Sequence, residues 1–194
     1  METTFVVEEA NNYSILRLQS DDDTNRLQKN CVEKLTTAIR HLAVEKTCKL
    51  LVITGNDKFF SAGADLAEIS ILNPGIAFEF GKMGQELMAA VAEFPAPTYA
   101  AISGYCFGGG LDLALACRHR IASPSAIFGH RGAALGLITG WGGTQRLPRL
   151  IGKARALEMF LIARTVTAKE ALTMGLIDAI ADNSLAEATR RASA

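Results

Sequence analysis

The 194-residue sequence has no excess of charge, because twenty Lys and Arg balance twenty Asp and Glu. That balance gives no sign of a nucleic-acid or membrane-surface partner, and none is expected. Long hydrophobic runs are also missing. No window approaches the roughly eighteen uninterrupted apolar residues of a membrane span. Behind Met1, ETTFVVEEA has neither a basic leader nor a long apolar core, so no signal peptide is expected. Cysteine is scarce, and Cys31, Cys48, Cys106 and Cys117 have neither metal-ligand nor redox spacing. Reduced thiols, no metal site and a cytoplasmic location are the simplest expectation. The chain contains no repeat, no low-complexity stretch and no linker, which implies one domain over residues 1–194. The most local absence is acidic: no Asp or Glu occurs between Asp112 and Glu158.

What is present reads as an α/β domain with a sizeable core, 49% apolar and 21% charged. TFVVEE and YSILRLQ predict an opening hairpin closed by Asn11 and Asn12. NRLQKNCVEKLTTAIRHLAVE predicts an amphipathic helix, with Leu27, Cys31, Leu35, Ile39 and Leu42 on one face. KLLVITG follows as a buried strand ended by Gly55, and a helix from about Ile76 to Phe94 stops before Pro95 and Pro97. PTYAAISG, RHRIAS and AIFGH supply further strands, and a mostly helical tail begins at about residue 143. This alternation places strand ends and their loops on one side of a sheet.

Two stretches stand out. In GYCFGGGLD, Gly108, Gly109 and Gly110 open the apolar helical run LDLALAC, with Asp112 two residues beyond the triplet. Glycine disfavours helix interiors, so three at a helix start suggest a close approach to the backbone. On the triplet alone a turn or a tight packing contact is the plainer reading. In FFSAGADLAEI, Ser61, Ala62, Gly63 and Ala64 are all small and follow a strand, where α/β proteins place ligand-binding loops. A loop that needs Gly63 for its turn is the plainer reading. Together, however, the two stretches can aim two backbone N–H groups at one oxygen, the geometry of an oxyanion hole. The dipole of a helix beginning at the triplet would add to the second donor.

FFSAGADL, AAISGYCFGGGLDLALACRHRIAS and GLITGWGGTQRLPRLIGKARALEMFL closely resemble the crotonase superfamily, the enoyl-CoA hydratase/isomerase family. TAKEALTMGLIDAI resembles the segment that follows, so the likeness runs from about residue 48 to 182. The resemblance implies a spiral of ββα units ending in a short helical tail, assembled as a homotrimer or hexamer. It implies an acyl-CoA thioester substrate, with coenzyme A as the carrier part of the substrate and no other cofactor. The amides of Ala64 and Gly109 would hold the thioester oxygen, contributing roughly 3 kcal/mol each to an enolate-like transition state. A side chain at Gly109 would block the thioester. The segment Ala62, Gly63, Ala64, Asp65 and Leu66 would accept the adenine end of coenzyme A.

The sequence also departs from the family. Asp112 stands where hydratases carry a catalytic Glu, one methylene longer. The second hydratase glutamate falls at Gly132, which has no side chain. Hydration normally divides its proton transfers between two carboxylates, and the usual isomerase design needs the carboxylate that Gly132 lacks. His130 and Arg131 adjoin the gap. His130 would serve as acid or base and Arg131 as a clamp for a substrate carboxylate, which suits decarboxylation or other enolate chemistry. Alternatively His130 packs at a strand end without a partner and Arg131 faces a neighbouring subunit. Asp112 keeps two readings as well, since a helix dipole stabilises an acid without any chemistry. Trp141 reads as a packing residue, and His41 and His119 as helix-surface and loop residues. Asp21, Asp22 and Asp23 lie where relatives often carry a base near the coenzyme A phosphates, and would repel them. The chain ends at Ala194, before the further helices that usually cover the acyl pocket, which makes it read as a shortened member. Three functions follow in order: hydration or isomerisation of an enoyl-CoA with Asp112 as acid and base, another enolate reaction using His130 or Arg131, and a non-catalytic binding or assembly protein.

Overall fold

A computed structural model describes residues 2–10, 12–45 and 48–192. Strands β1 (Thr3–Glu9) and β2 (Ser14–Ser20) form the expected antiparallel hairpin. The Ala10 amide donates to the Tyr13 carbonyl at 2.9 Å to close it; Asn11, half of the expected turn, lies outside the described residues.

From β2 onward one pattern recurs: a strand of the main sheet, a short strand in a second layer, then a helix. The first unit is β2, β3 (Arg26–Leu27) and α1 (Lys29–Val44). The second is β4 (Leu51–Thr54), the short β5 (Phe59–Ser61) and β6 (Gly63–Ala64), then α2 (Leu66–Ser70) and α3 (Pro74–Ala92). The third is β7 (Thr98–Ile102), β8 (Tyr105–Phe107) and α4 (Gly109–Ala116). The fourth is β9 (His119–Ala122), β10 (Ile127–Gly129), a 3-10 turn over Arg131–Leu135 and α5 (Gly143–Ile151). These are the ββα units that the family resemblance implies. The chain continues through α6 (Lys153–Leu161), β11 (Thr165–Thr167), α7 (Ala168–Thr173), β12 (Ala179–Ile180) and α8 (Ser184–Ala192).

The main sheet runs β1-β2-β4-β7-β9-β12, with every pair after the hairpin parallel. Its central strands β4 and β7 are buried along their whole length, which is why KLLVITG and PTYAAISG carry unbroken apolar runs. A second sheet, β11-β10-β8-β5, and the β3–β6 pair form the other layer. The main core packs Leu16, Leu35, Ile53, Leu87, Ile102 and Phe128 between the layers and the helices.

Four points differ from expectation. The first helix begins at Lys29, because Asn25 takes a left-handed φ of 50° and Arg26–Leu27 pair with Gly63–Ala64 instead. The tail beyond residue 143 is not purely helical, since β11 adds to β10 and β12 adds to β9. The stretch FFSAGADLAEI is likewise not a bare loop but two short strands and one helix. His119, expected in a loop, opens β9 and stacks on Tyr99 at 4.7 Å.

Candidate active site

The loop after β5 is held from beneath by a buried polar pin. Asn25, fully buried, donates from Nδ2 to the Phe59 carbonyl at 3.0 Å, while Ser61 Oγ donates to the Asn25 carbonyl at 2.7 Å. The Ala62 amide donates to the Thr24 carbonyl and the Gly63 amide to Ser61 Oγ. In the parallel β3–β6 ladder the Asp65 amide returns to the Leu27 carbonyl, so the Ala64 amide points away from β3. Gly109 is the first residue of α4, and first-turn amides have no partner within their helix. The backbones carrying these two donors are in near contact: a Cβ built on Gly109 would stand 3.3 Å from the Ala64 nitrogen.

Each residue of the triplet has its own reason. Gly108 takes φ 51° with ψ −120°, which a side chain rarely tolerates. A Cβ at Gly110 would stand 2.6 Å from that of Ser61, locking α4 against β5. A Cβ at Gly109 would stand 2.5 Å from the Trp141 ring. A side chain at Gly109 would thus first meet Trp141, which lines the same cavity. That indole is buried, as expected of a packing residue, and donates to the Phe80 carbonyl at 3.2 Å.

These donors open on a cavity of about 320 Å³. Leu66, Ile69, Phe80, Leu137 and Ile138 give it an apolar wall, and Ala62, Gly63, Ala64 and Gly109 its small-residue side. Asp65 is absent from its lining. Its carboxylate caps α2, accepting from the Ala67 amide at 2.8 Å. Asp21, Asp22 and Asp23 do not line the cavity either. Asp21 and Asp23 face a separate cleft at the end of the main sheet, Asp23 pairs with Lys58 at 2.9 Å, and Asp22 is bound by Thr24, Ser20 and Arg26.

The polar end of the cavity is side-chain chemistry. Asp112, on the first turns of α4, is fully buried and accepts a hydrogen bond on Oδ2 from Thr139 Oγ1. His130, at the end of β10, is 3% exposed, and its Nε2 lies 3.6 Å from Asp112 Oδ1. His130 thus has the partner that sequence alone does not reveal. Burial pushes the Asp112 carboxyl up to about 7, against the pull of Thr139, Arg146 and the nearby Trp141 and Gly143 amides. Burial lowers His130 to about 4. The distance is that of an ion pair, but desolvation disfavours both charges, so the neutral acid beside a neutral imidazole is the form we assign near pH 6. Arg131 lies on the cavity rim, exposed and without an ion-pair partner among the described residues. Gly132 also lines the cavity, and the backbone there turns back on Leu137, whose amide donates to the Gly132 carbonyl. Thr139 and Gly143 are site residues that sequence reasoning missed. The GG of GWGGTQRL was the one signal, since a Cβ at Gly143 would collide with Asp112 Oδ1 and stand 3.0 Å from His130 Cε1.

The model of the enoyl-CoA hydratase/isomerase family matches residues 8–193. The chain belongs to that family. It is 35% identical over 176 residues to a crotonyl-CoA hydratase of Syntrophomonas wolfei, covering 90% of this chain and 68% of the relative. It is 40% identical over 154 residues to a probable enoyl-CoA hydratase of Bacillus subtilis, covering 79% of this chain and 60% of that one. The crystal structure of an enoyl-CoA hydratase from Bacillus anthracis superposes with a TM-score of 0.93 at 34% identity, covering 98% of this chain and 75% of the other. The fold is therefore that of the crotonase superfamily. The match spans between three fifths and about two thirds of the length of these two curated relatives.

Proposed function

We propose that this chain binds an acyl-CoA thioester in the 320 Å³ cavity and stabilises its enolate. The Ala64 and Gly109 amides hold the thioester oxygen, and Asp112 moves the proton at the α-carbon. The reaction is hydration or isomerisation of an enoyl-CoA, with coenzyme A entering only as part of the substrate. The observation that carries this reading is the convergence of two uncommitted backbone donors beside one buried carboxyl group with its acidity shifted towards neutrality. The apolar wall fits an unsubstituted acyl chain.

The test is calorimetric titration with crotonyl-CoA and with free coenzyme A, while the ultraviolet band of the conjugated thioester is followed in the same sample. Binding of crotonyl-CoA with loss of that band is the expected result. Failure of the folded protein to bind either ligand would instead favour a non-catalytic scaffold.

A second reading has one specific observation behind it. Arg131 is an unpaired cation on the cavity rim among the described residues, placed to hold a free carboxylate as in a malonyl-type thioester. Decarboxylation of such a thioester, lost in Arg131→Ala while hydration of crotonyl-CoA persists, would establish it. Assembly as a homotrimer or hexamer also fits the reading, and sedimentation velocity of the purified chain tests it.

A further inference from the structure

Among the described residues, three buried side-chain polar atoms have no hydrogen-bond partner: Asp112 Oδ1, His130 Nδ1 and His130 Nε2. All three belong to two side chains that line one cavity. Leaving buried polar groups unpaired is costly, so such clusters mark places where a ligand completes the bonding. Oδ1 and Nε2 are 3.6 Å apart, just too far to bond each other well. One oxygen placed about 2.8 Å from both would complete their bonding, donating to one and accepting from the other.

We propose that His130 is the second acid–base group of this site, replacing the carboxylate missing at Gly132, and that Asp112 Oδ1 and His130 Nε2 together seat the oxygen added to the acyl chain. The inference rests on the acyl-CoA reading above. Its chemistry balances with one proton on the pair. Water seated between the two atoms attacks the β-carbon of the enoyl thioester and gives a proton to the neutral imidazole. The electrons of the carbon–carbon double bond move to the thioester, whose oxygen is held by the Ala64 and Gly109 amides. The neutral Asp112 carboxyl then protonates the α-carbon. Water has added across the double bond, and the pair still holds one proton, now on His130. Its transfer back to Asp112 resets the site.

The surroundings suit this division of labour. A neutral imidazole that titrates at about 4 is as weak a base as an ordinary carboxylate, while burial keeps Asp112 a carboxylic acid near neutrality. The charged or titratable neighbours of the pair are Arg146 on α5, Cys106 on β8 and the rim residue Arg131. The Phe160 ring of α6 lies 5.0 Å from the imidazole and brings no charge. Thr139 fixes Oδ2 and so leaves Oδ1 for the ligand.

The experiment compares two reactions in wild type and His130→Gln. One is hydration of crotonyl-CoA. The other is exchange of the α-protons of butyryl-CoA in D2O at about pD 8, where Asp112 is ionised; it involves no added oxygen and uses only the amides and the Asp112 carboxylate. His130→Gln should lower kcat for hydration by about 10²–10³-fold while changing α-proton exchange by less than about tenfold. A circular dichroism spectrum and a melting curve like wild type's establish that the variant is folded, and His130→Asn serves as the second variant if Gln does not fold. Hydration that survives either variant, or exchange and hydration that fall together, overturns the assignment of His130. Wild type that exchanges α-protons but does not hydrate crotonyl-CoA overturns the oxygen seat while leaving the acyl-CoA reading intact. Wild type that does neither overturns the acyl-CoA reading itself.

Discussion

The two halves of the candidate site are built from opposite materials. The amide half, Ala64 and Gly109, uses backbone alone, rigidly fixed by Asn25, Ser61 and the Gly110 contact. Its donors are set by chain path, so substitutions act through displacement. The acid–base half is made of four side chains from three segments: Asp112 on α4, His130 after β10, and Thr139 and Trp141 before α5. There three polar atoms lack a hydrogen-bond partner among the described residues, and burial has reversed the order of the two acidities. A backbone device specifies which intermediate is stabilised. A side-chain device specifies what is done with it, and can change while the first stays fixed.

The largest expected effect tests the rigid half. Gly109→Val should abolish α-proton exchange, by about 10²–10³-fold or more, by driving Trp141 and the Ala64 segment away from the cavity. Retained exchange in that variant would remove Gly109 from the oxyanion hole. On the other half, Asp112→Asn should reduce both exchange and hydration by about 10²–10⁴-fold, where His130→Gln reduces only hydration.

Stability offers a smaller and independent comparison. Asp112 has a folded acidity raised from 3.8 to about 7, so above about pH 4 its stabilising contribution is lost as pH rises. His130 is lowered from 6.5 to about 4, so its contribution is lost as pH falls below 6.5. Between about pH 4 and 6.5 the two slopes oppose, at about 1.4 kcal/mol per pH unit each, and cancel. Asp112→Asn should therefore become more stable relative to wild type as pH rises through this window, and His130→Gln less stable. Denaturant melts at pH 4.5 and 6.0 read the difference, and parallel pH profiles for all three proteins would contradict it. Arg131→Ala should be the mildest change, altering crotonyl-CoA hydration by less than about threefold, since its exposed guanidinium touches no buried member of the pair.

The amide half was the part legible in sequence. FFSAGADL and GYCFGGGLD are local, and small residues after a strand report a close backbone approach without knowledge of the rest of the chain. The alternating elements were legible for the same reason, since β4, β7 and α3 each carry their own periodicity and stop signals. The start of α1 was misread because Leu27 fits the helical spacing but is claimed by a strand pairing with Ala64, 37 positions away. Asp112 and Thr139 are 27 residues apart, and only the crossing of α4 against α5 joins them. His130 was visible as a candidate but without its partner, because pairing across the second layer leaves no trace in spacing. The gap at Gly132 was equally visible, and sequence could not show that an imidazole two residues earlier turns to the same carboxylate.

The central claim is that two amides and one buried carboxyl group form an enolate site for acyl-CoA thioesters. Proton NMR of butyryl-CoA in D2O with the wild-type protein tests it most directly, because exchange at the α-carbon requires enolate stabilisation and one base and nothing else. The account predicts α-deuteration well above the protein-free rate, abolished in Gly109→Val and strongly reduced in Asp112→Asn. Butyryl-CoA that binds the folded protein and keeps its α-protons at the protein-free rate would contradict it.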